Sequence, residues 1–321
     1  MGESSGIMVS VVCLTYNHAS YVRDCLEGFV SQKTTFPFEV LIHDDASTDG
    51  TQQIIKEYES RFPDLFRVVY QTENQFSKGV RPWDDVLFPM AQGKYVAWCE
   101  GDDYWIDPLK LQKQVDFLEA HPDYVMCCSD AVISSPAGEL DWCRYSHDTE
   151  VPARDIISGG GDFLPTASLM LRTELVRQDY PKCSVGDYPL QILAAISGKV
   201  HWFAQKQVVY RYHAAGSWTS TVSRSSVQKR IPMLLSEFEM LRQMDVLSGG
   251  CYSAAFQGRV AAHLIYIICL YRDDYPMLAD VFREYIPYLS MYQRFKLFLV
   301  RYRLFFILDA VKWVGRKVQG R

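Results

Sequence analysis

Apolar and polar positions in the first half of the chain switch repeatedly between two periods. Ile7-Met-Val-Ser-Val-Val-Cys-Leu14 is a continuous β-rich run, the pattern of a strand covered on both faces. After Thr15-Tyr-Asn-His18, positions Val22, Cys25, Leu26, Phe29 and Val30 recur at helical spacing. Phe38-Glu-Val-Leu-Ile-His43 predicts a second strand ending in Asp44-Asp45, and Asp49 with Gln52 reads as a capping box opening a helix. That helix would bury Ile54, Ile55, Tyr58 and Phe62. Phe66-Arg-Val-Val-Tyr70 and Tyr95-Val-Ala-Trp-Cys99 predict two more strands. Asp107-Pro108 predicts a capped helix start with proline at the first helical position, followed by Leu111, Val115 and Leu118 on one face.

Strand–helix alternation of this kind predicts an α/β fold with a mostly parallel, doubly wound sheet. In such sheets ligands bind beyond the carboxyl ends of the strands. Three polar clusters fall there: Thr15-Tyr-Asn17, Asp44-Asp45, and Glu100 with Asp102 and Asp103. They are distant in sequence and should face one crevice. Past about residue 215 the alternation stops, and 231–246 and 260–271 read as helices. Ser158-Gly-Gly-Gly161 reads as a flexible loop.

Composition narrows the class. With 321 residues, 48% hydrophobic and 22% charged, the chain resembles an ordinary globular protein with ample core. A net charge of −5 argues against a nucleic-acid binder. Nine cysteines without framework spacing suit a reducing cytosol, where they serve as small buried hydrophobes. The polar start lacks the features of a signal peptide or a myristoylation site, so a cytoplasmic chain is expected.

Acids after a strand commonly just cap a turn. Three packed beside a second pair ask for more, because two like charges about 4 Å apart repel by roughly 4 kcal/mol at an effective dielectric near 20. Such a group wants a cation, and all-oxygen ligation selects Mg²⁺ or Mn²⁺. A calcium loop beginning at Asp45 fails, since its twelfth position would be Lys56 where a bidentate Glu is required.

VSVVCLTYNHASYV, EVLIHDDASTDGT and GKYVAWCEGDDYW together resemble the family 2 glycosyltransferases of GT-A fold, over roughly residues 7–215. The resemblance implies a GT-A catalytic domain over 1–215, with a nucleotide-sugar half to about 105 and an acceptor half over 106–215. A helical extension would follow over 216–321. It further implies that Thr15, Tyr16, Asn17 and Asp45 hold the base and ribose, with Asp44 beside them. Glu100-x-Asp102-Asp103 would be the D-x-D-type element, with Asp102 and Asp103 as metal ligands and Glu departing from the commoner Asp. The family's catalytic carboxylate maps onto Asp187, in Ser184-Val-Gly-Asp187, where a plain helix cap is the alternative. Arg81 or Lys78 would meet the donor phosphates unless each is a solvated loop charge. His213 is a donor or metal contact, or simply structural. His43 reads as packing. Trp98, Tyr104 and Trp105 offer a sugar-stacking wall, though Trp98 suits the core better.

The expected reaction is metal-dependent inverting transfer from a nucleotide-sugar, with UDP implied by the resemblance, to a glycan or polyprenyl-diphosphate-linked acceptor, as in capsule or O-antigen synthesis. A nucleotidyltransferase would want a Gly-rich basic loop where TYNHASY stands. A non-catalytic binding module is the other rival, and Asp187 weighs against it. Met291–Arg321 carries eight Lys/Arg and one acid, Asp309, among Phe, Leu and Trp. This tail reads as an amphipathic helix on the cytoplasmic face of the inner membrane, or as one packed on the protein or on a second subunit of a homo-oligomer.

Overall fold

The computed structural model describes residues 6–212, 214 and 225–304. They fall into two compact units, one of Met1–Ile156 with Gly161–Arg224 and one of Ile157–Gly160 with Ser225–Arg321.

The first unit is built on a ten-stranded sheet with the order β3-β2-β1-β4-β9-β6-β10-β5; β7 pairs β6 and β8 pairs β10. The strands are β1 (Val9–Thr15), β2 (Phe38–Asp44), β3 (Phe66–Tyr70), β4 (Tyr95–Trp98), β5 (Tyr104–Trp105), β6 (Tyr124–Ser135), β7 (Gly138–Asp141), β8 (Thr149–Glu150), β9 (Met170–Arg172) and β10 (Lys199–Arg211). The first four are parallel, as their unbroken apolar runs predict, with Thr15 paired to Asp44 and Val12 to Trp98. The parallel order then breaks. β9 inserts antiparallel between β4 and β6, so the sheet is mixed. Three residues of β9 carry too little periodicity to announce this insertion.

Helices α1 (Val22–Val30), α2 (Thr51–Arg61) and α3 (Lys110–Ala120) cover the sheet. Val22, Cys25, Leu26, Phe29, Ile55, Tyr58, Leu111, Val115 and Leu118 join the strands' apolar side chains in one core. At about 25 cal/mol per Å² of apolar surface buried, this contact, rather than helix propensity, holds the helices in place. Two caps differ from expectation. The residue preceding α2 is Gly50, at φ 106. Asp49 accepts instead from the Thr51 amide and hydroxyl, and Gln52 donates to Asp44 rather than closing a capping box. Asp107 does accept from the Leu109 amide, but α3 starts at Lys110, so Pro108 precedes the helix.

The second unit is helical: α5 (Val227–Leu247), α6 (Ser253–Leu270) and α7 (Met291–Arg301), after α4 (Tyr188–Ser197) of the first unit. α5 and α6 begin four and seven residues earlier than their apolar patterns suggested. Ser158 and Gly159 end a short helix, Ala153–Gly159, rather than lying in a loop. α6 is the one helix among the described residues long and apolar enough to cross a membrane. Its Phe256, Val260, Leu264, Ile267 and Ile268 are buried within the unit, where it packs on α5 and α7.

Candidate active site

β2, β1 and β4 end side by side, and their carboxyl ends are laced together. The Asp45 amide donates to the Thr15 carbonyl at 2.9 Å, and the Gly101 amide to the Leu14 carbonyl at 2.9 Å. Gly101 suits this turn because a larger residue would crowd its neighbours. A Cβ there would stand 2.6 Å from Thr15 Cγ2 and 2.9 Å from His18 Nδ1. The loop after β1 is also pinned to the loop after β2. The Asn17 amide donates to Ser47 Oγ, the Thr48 amide to Asn17 Oδ1, the His18 amide to Thr51 Oγ1 and the Ala19 amide to Asp49 Oδ2. Asn17 and Ala46 both adopt left-handed backbone, at φ 57 and 65. That conformation costs an alanine roughly 1–2 kcal/mol, strain of the kind that clusters at functional sites.

Glu100, Asp102 and Asp103 follow β4. Burial and mutual repulsion push the Glu100 and Asp103 carboxyls well above the usual range. Asp103 Oδ1 accepts from the Arg211 amide at 2.8 Å, and the Arg211 guanidinium donates to the Asp102 carbonyl at 2.8 Å. The Glu100 and Asp102 carboxylates accept no hydrogen bond from a described residue. Among the described residues no three His, Cys, Asp or Glu side chains form a ready metal cage. Uncompensated hard oxygens still fit a dication held by one or two carboxylates and completed by substrate phosphates, the usual manner for Mg²⁺. Behind them Cys13, Cys25 and Cys99 are buried, and the Cys25 and Cys99 thiols point at the Glu100 carbonyl. Burial holds the thiols of Cys25 and Cys99 protonated, the latter pushed up to about 11, so they are packing, as expected. Cys143 and Cys251 instead are exposed.

Asp187 is the fourth carboxylate, and its charge raises the Glu100 carboxyl through space. It stands just before α4 without capping it. Its Oδ2 instead accepts from Thr166 Oγ1 at 2.5 Å and Gln191 Nε2 at 3.0 Å. Burial lifts its carboxyl from 3.8 to about 6, against the opposing Thr166 hydrogen bond. A carboxylate with that affinity for a proton is ionised at neutral pH and basic enough to accept one, as a general base requires.

Other expected residues are engaged differently. Asp44 is fully buried and accepts from Thr15, Gln52 and both the amide and hydroxyl of Ser47. It organises the loops and has no lone pair aimed at a ligand. Asp45 accepts from the Gln75 and Phe76 amides and lies 3.5 Å from His43 Nε2. Burial pushes the His43 imidazole down, leaving it neutral and packed. Thr15 is buried, whereas Tyr16 is 43% exposed. Lys78 pairs with Glu73 on an exposed turn. Arg81 is not a bare cation either: it donates to Asp84 and to the Cys183 carbonyl. Trp98 and Trp105 are core residues, Trp98 against Trp83 and Trp105 donating to the Ala167 carbonyl; the sugar wall shrinks to Tyr104, which lies under Arg211. His213 lies outside the described residues.

Several participants escaped the sequence reading. Asp84 receives Arg81, Lys182 and the Tyr180 hydroxyl, fastening the segment that leads to Asp187. Arg211 also pairs with Asp24 of α1. Only Gln191 had a readable signal, its four-residue spacing from Asp187 across the start of α4.

A family model described as "Glycosyl transferase family 2" matches residues 10–179. An uncharacterised protein of Mycobacterium tuberculosis is 36% identical over 268 residues, covering 80% of this chain and 74% of that protein. The Escherichia coli UDP-Glc:alpha-D-GlcNAc-diphosphoundecaprenol beta-1,3-glucosyltransferase WfaP is 30% identical over 112 residues, 35% of this chain and 41% of that enzyme. Among solved structures, S. aureus TarS 1–349 in complex with UDP-GlcNAc superposes with a TM-score of 0.67 at 17% identity, covering 92% of this chain and 87% of that one. At that identity the likeness shows the GT-A fold and nothing finer.

Proposed function

The chain belongs to glycosyltransferase family 2, and from that premise we propose that it is an inverting enzyme moving a sugar from a nucleotide-sugar, a UDP-sugar in the first instance, to a hydroxyl of a glycan or polyprenyl-diphosphate-linked acceptor. What supports this reading is that Glu100, Asp102 and Asp103 follow β4 beside the end of β1, with Asp187, at the start of α4, near enough for its charge to raise the Glu100 carboxyl. The relative WfaP, by its name, transfers glucose from UDP-Glc to a diphosphoundecaprenol-linked GlcNAc.

In this reading Tyr16, Asn17 and Asp45 border the base and ribose, and Thr15 and Asp44 hold those loops in shape. Asp102 and the second oxygen of Asp103 are the oxygens that would hold Mn²⁺ or Mg²⁺. When bound, such an ion supplies charge neutralisation for the diphosphate leaving group. Asp187 takes the proton of the acceptor hydroxyl onto a carboxylate oxygen. The acceptor oxygen then attacks the anomeric carbon opposite the departing diphosphate, so one displacement inverts that centre. Thr166 and Gln191 hold the carboxylate in place during the transfer.

A thermal-shift screen of UDP-, GDP- and dTDP-sugars with Mn²⁺ or Mg²⁺ tests the donor reading. A ligand at a hundred times its dissociation constant adds about 2.7 kcal/mol of stability. One nucleotide-sugar should stabilise the protein only when metal is present, and Asp103→Asn should erase that shift. A metal-independent shift that survives Asp103→Asn would reject the metal assignment.

A further inference from the structure

Helix α7 carries apolar side chains around much of its circumference, and only some of them are used internally. Leu297, Leu299 and Val300 are buried within the second unit. Met291, Phe295, Phe298 and Tyr302 are instead 84%, 48%, 50% and 55% exposed. Spaced by four, three and four residues, they fall within an arc of about 60° at 100° per residue. Tyr292, 56% exposed, lies apart from that arc, with buried Leu299 between. The helix is specified locally. Ser290 and Gln293 form a reciprocal capping box that starts it at Met291, so the exposed stripe is fixed in place.

Charge is concentrated on the same segment. Residues 225–290 hold six Lys/Arg and seven Asp/Glu, whereas 291–304 hold four Lys/Arg and no acid. Arg294 is fastened to the Leu289 and Pro287 carbonyls. Lys296 lies over the Tyr292 ring at 4.4 Å and Arg301 over the Tyr302 ring at 5.6 Å. Long cationic side chains laid along aromatic rings can keep their charges in water while their stems and the rings enter an apolar phase.

We infer that this face of α7 binds the surface of an anionic phospholipid bilayer, with Met291, Phe295, Phe298 and Tyr302 entering the headgroup–acyl boundary. A second copy of the chain is the less suitable occupant. A two-fold interface would set the stripe against itself and bring like charges together, whereas anionic lipid supplies the opposite charge. The inference does not depend on what the acid cluster catalyses.

Vesicle flotation of the full chain tests it, using phosphatidylcholine vesicles with and without one quarter phosphatidylglycerol. The protein should float with the anionic vesicles, stay behind with the neutral ones, and be released by 0.5 M salt. Phe295→Ser with Phe298→Ser should lower the partition coefficient at least tenfold while the melting temperature is unchanged, because both rings are half-exposed. Lys296→Gln with Arg301→Gln should weaken binding to anionic vesicles alone. Equal partitioning of the Phe double variant overturns the inference. So does a wild-type protein that ignores vesicles and elutes as a dimer which the Phe double variant converts to monomer; the stripe would then be a subunit contact.

Discussion

Asp187→Asn separates function from stability because the two effects have opposite signs. Burial lifts the Asp187 carboxyl from 3.8 to about 6, which corresponds to about 3 kcal/mol of charge held at a disadvantage. The folded state keeps this proton longer than the unfolded chain does. Ionised Asp187 therefore destabilises the fold, increasingly from about pH 4 and fully above about pH 6. Asparagine removes the charge and keeps the shape, since its oxygen can still accept from Thr166 and Gln191. At pH 7.5 the variant should gain up to about 3 kcal/mol, a rise of several degrees in melting temperature, and the gain should shrink towards pH 4. Turnover should fall about 10²- to 10⁴-fold, with donor affinity preserved. Differential scanning fluorimetry at several pH values, beside nucleoside diphosphate release in the presence of acceptor, measures both. Turnover within threefold of wild type would remove Asp187 as base. Lost turnover with a lower melting temperature would make it a structural residue instead.

Thr166→Val removes the hydroxyl that opposes the rise of the Asp187 carboxyl. The acid limb of the kcat profile should move to higher pH; an unmoved limb would assign it to another group. Arg81→Met tests whether the guanidinium meets the donor or holds the Asp187 loop through Asp84 and Cys183. We expect kcat to fall at least tenfold with the donor Kd within threefold, and a Kd weakened tenfold at constant kcat would restore the phosphate contact. Gly101→Ala forces a Cβ to within 2.6 Å of Thr15 Cγ2. It should cost about 1–3 kcal/mol in chemical denaturation, the usual range for overpacking, and weaken donor binding; a neutral variant would mean the loops are not packed as described.

Much of the first unit was legible because its signals are local. A strand buried on both faces must be apolar throughout, and where it leaves the sheet the chain must turn polar, so the clusters at Thr15, Asp44 and Glu100 mark their own positions. Helical spacing identified α1, α2 and α3 for the same reason. The second unit was legible as helix but not at its starts, since the opening turns of α5 and α6 each hold a single large apolar residue, Val227 and Phe256, ahead of the denser apolar run.

The sequence by itself therefore determined the parallel half of the sheet and the edge at which acids collect, while the candidate base was implied by the family resemblance. Tertiary structure alone decided how those acids are partnered. Asp103 is held by Arg211, which is 108 residues away, and Asp187 by Thr166 across 21. Arg81 turned from a ligand candidate into a brace by meeting a carbonyl 102 residues on. Hydrogen bonds between remote segments leave no period in a chain, because each is chosen by burial: a polar group removed from water must find whichever partner the fold brings near.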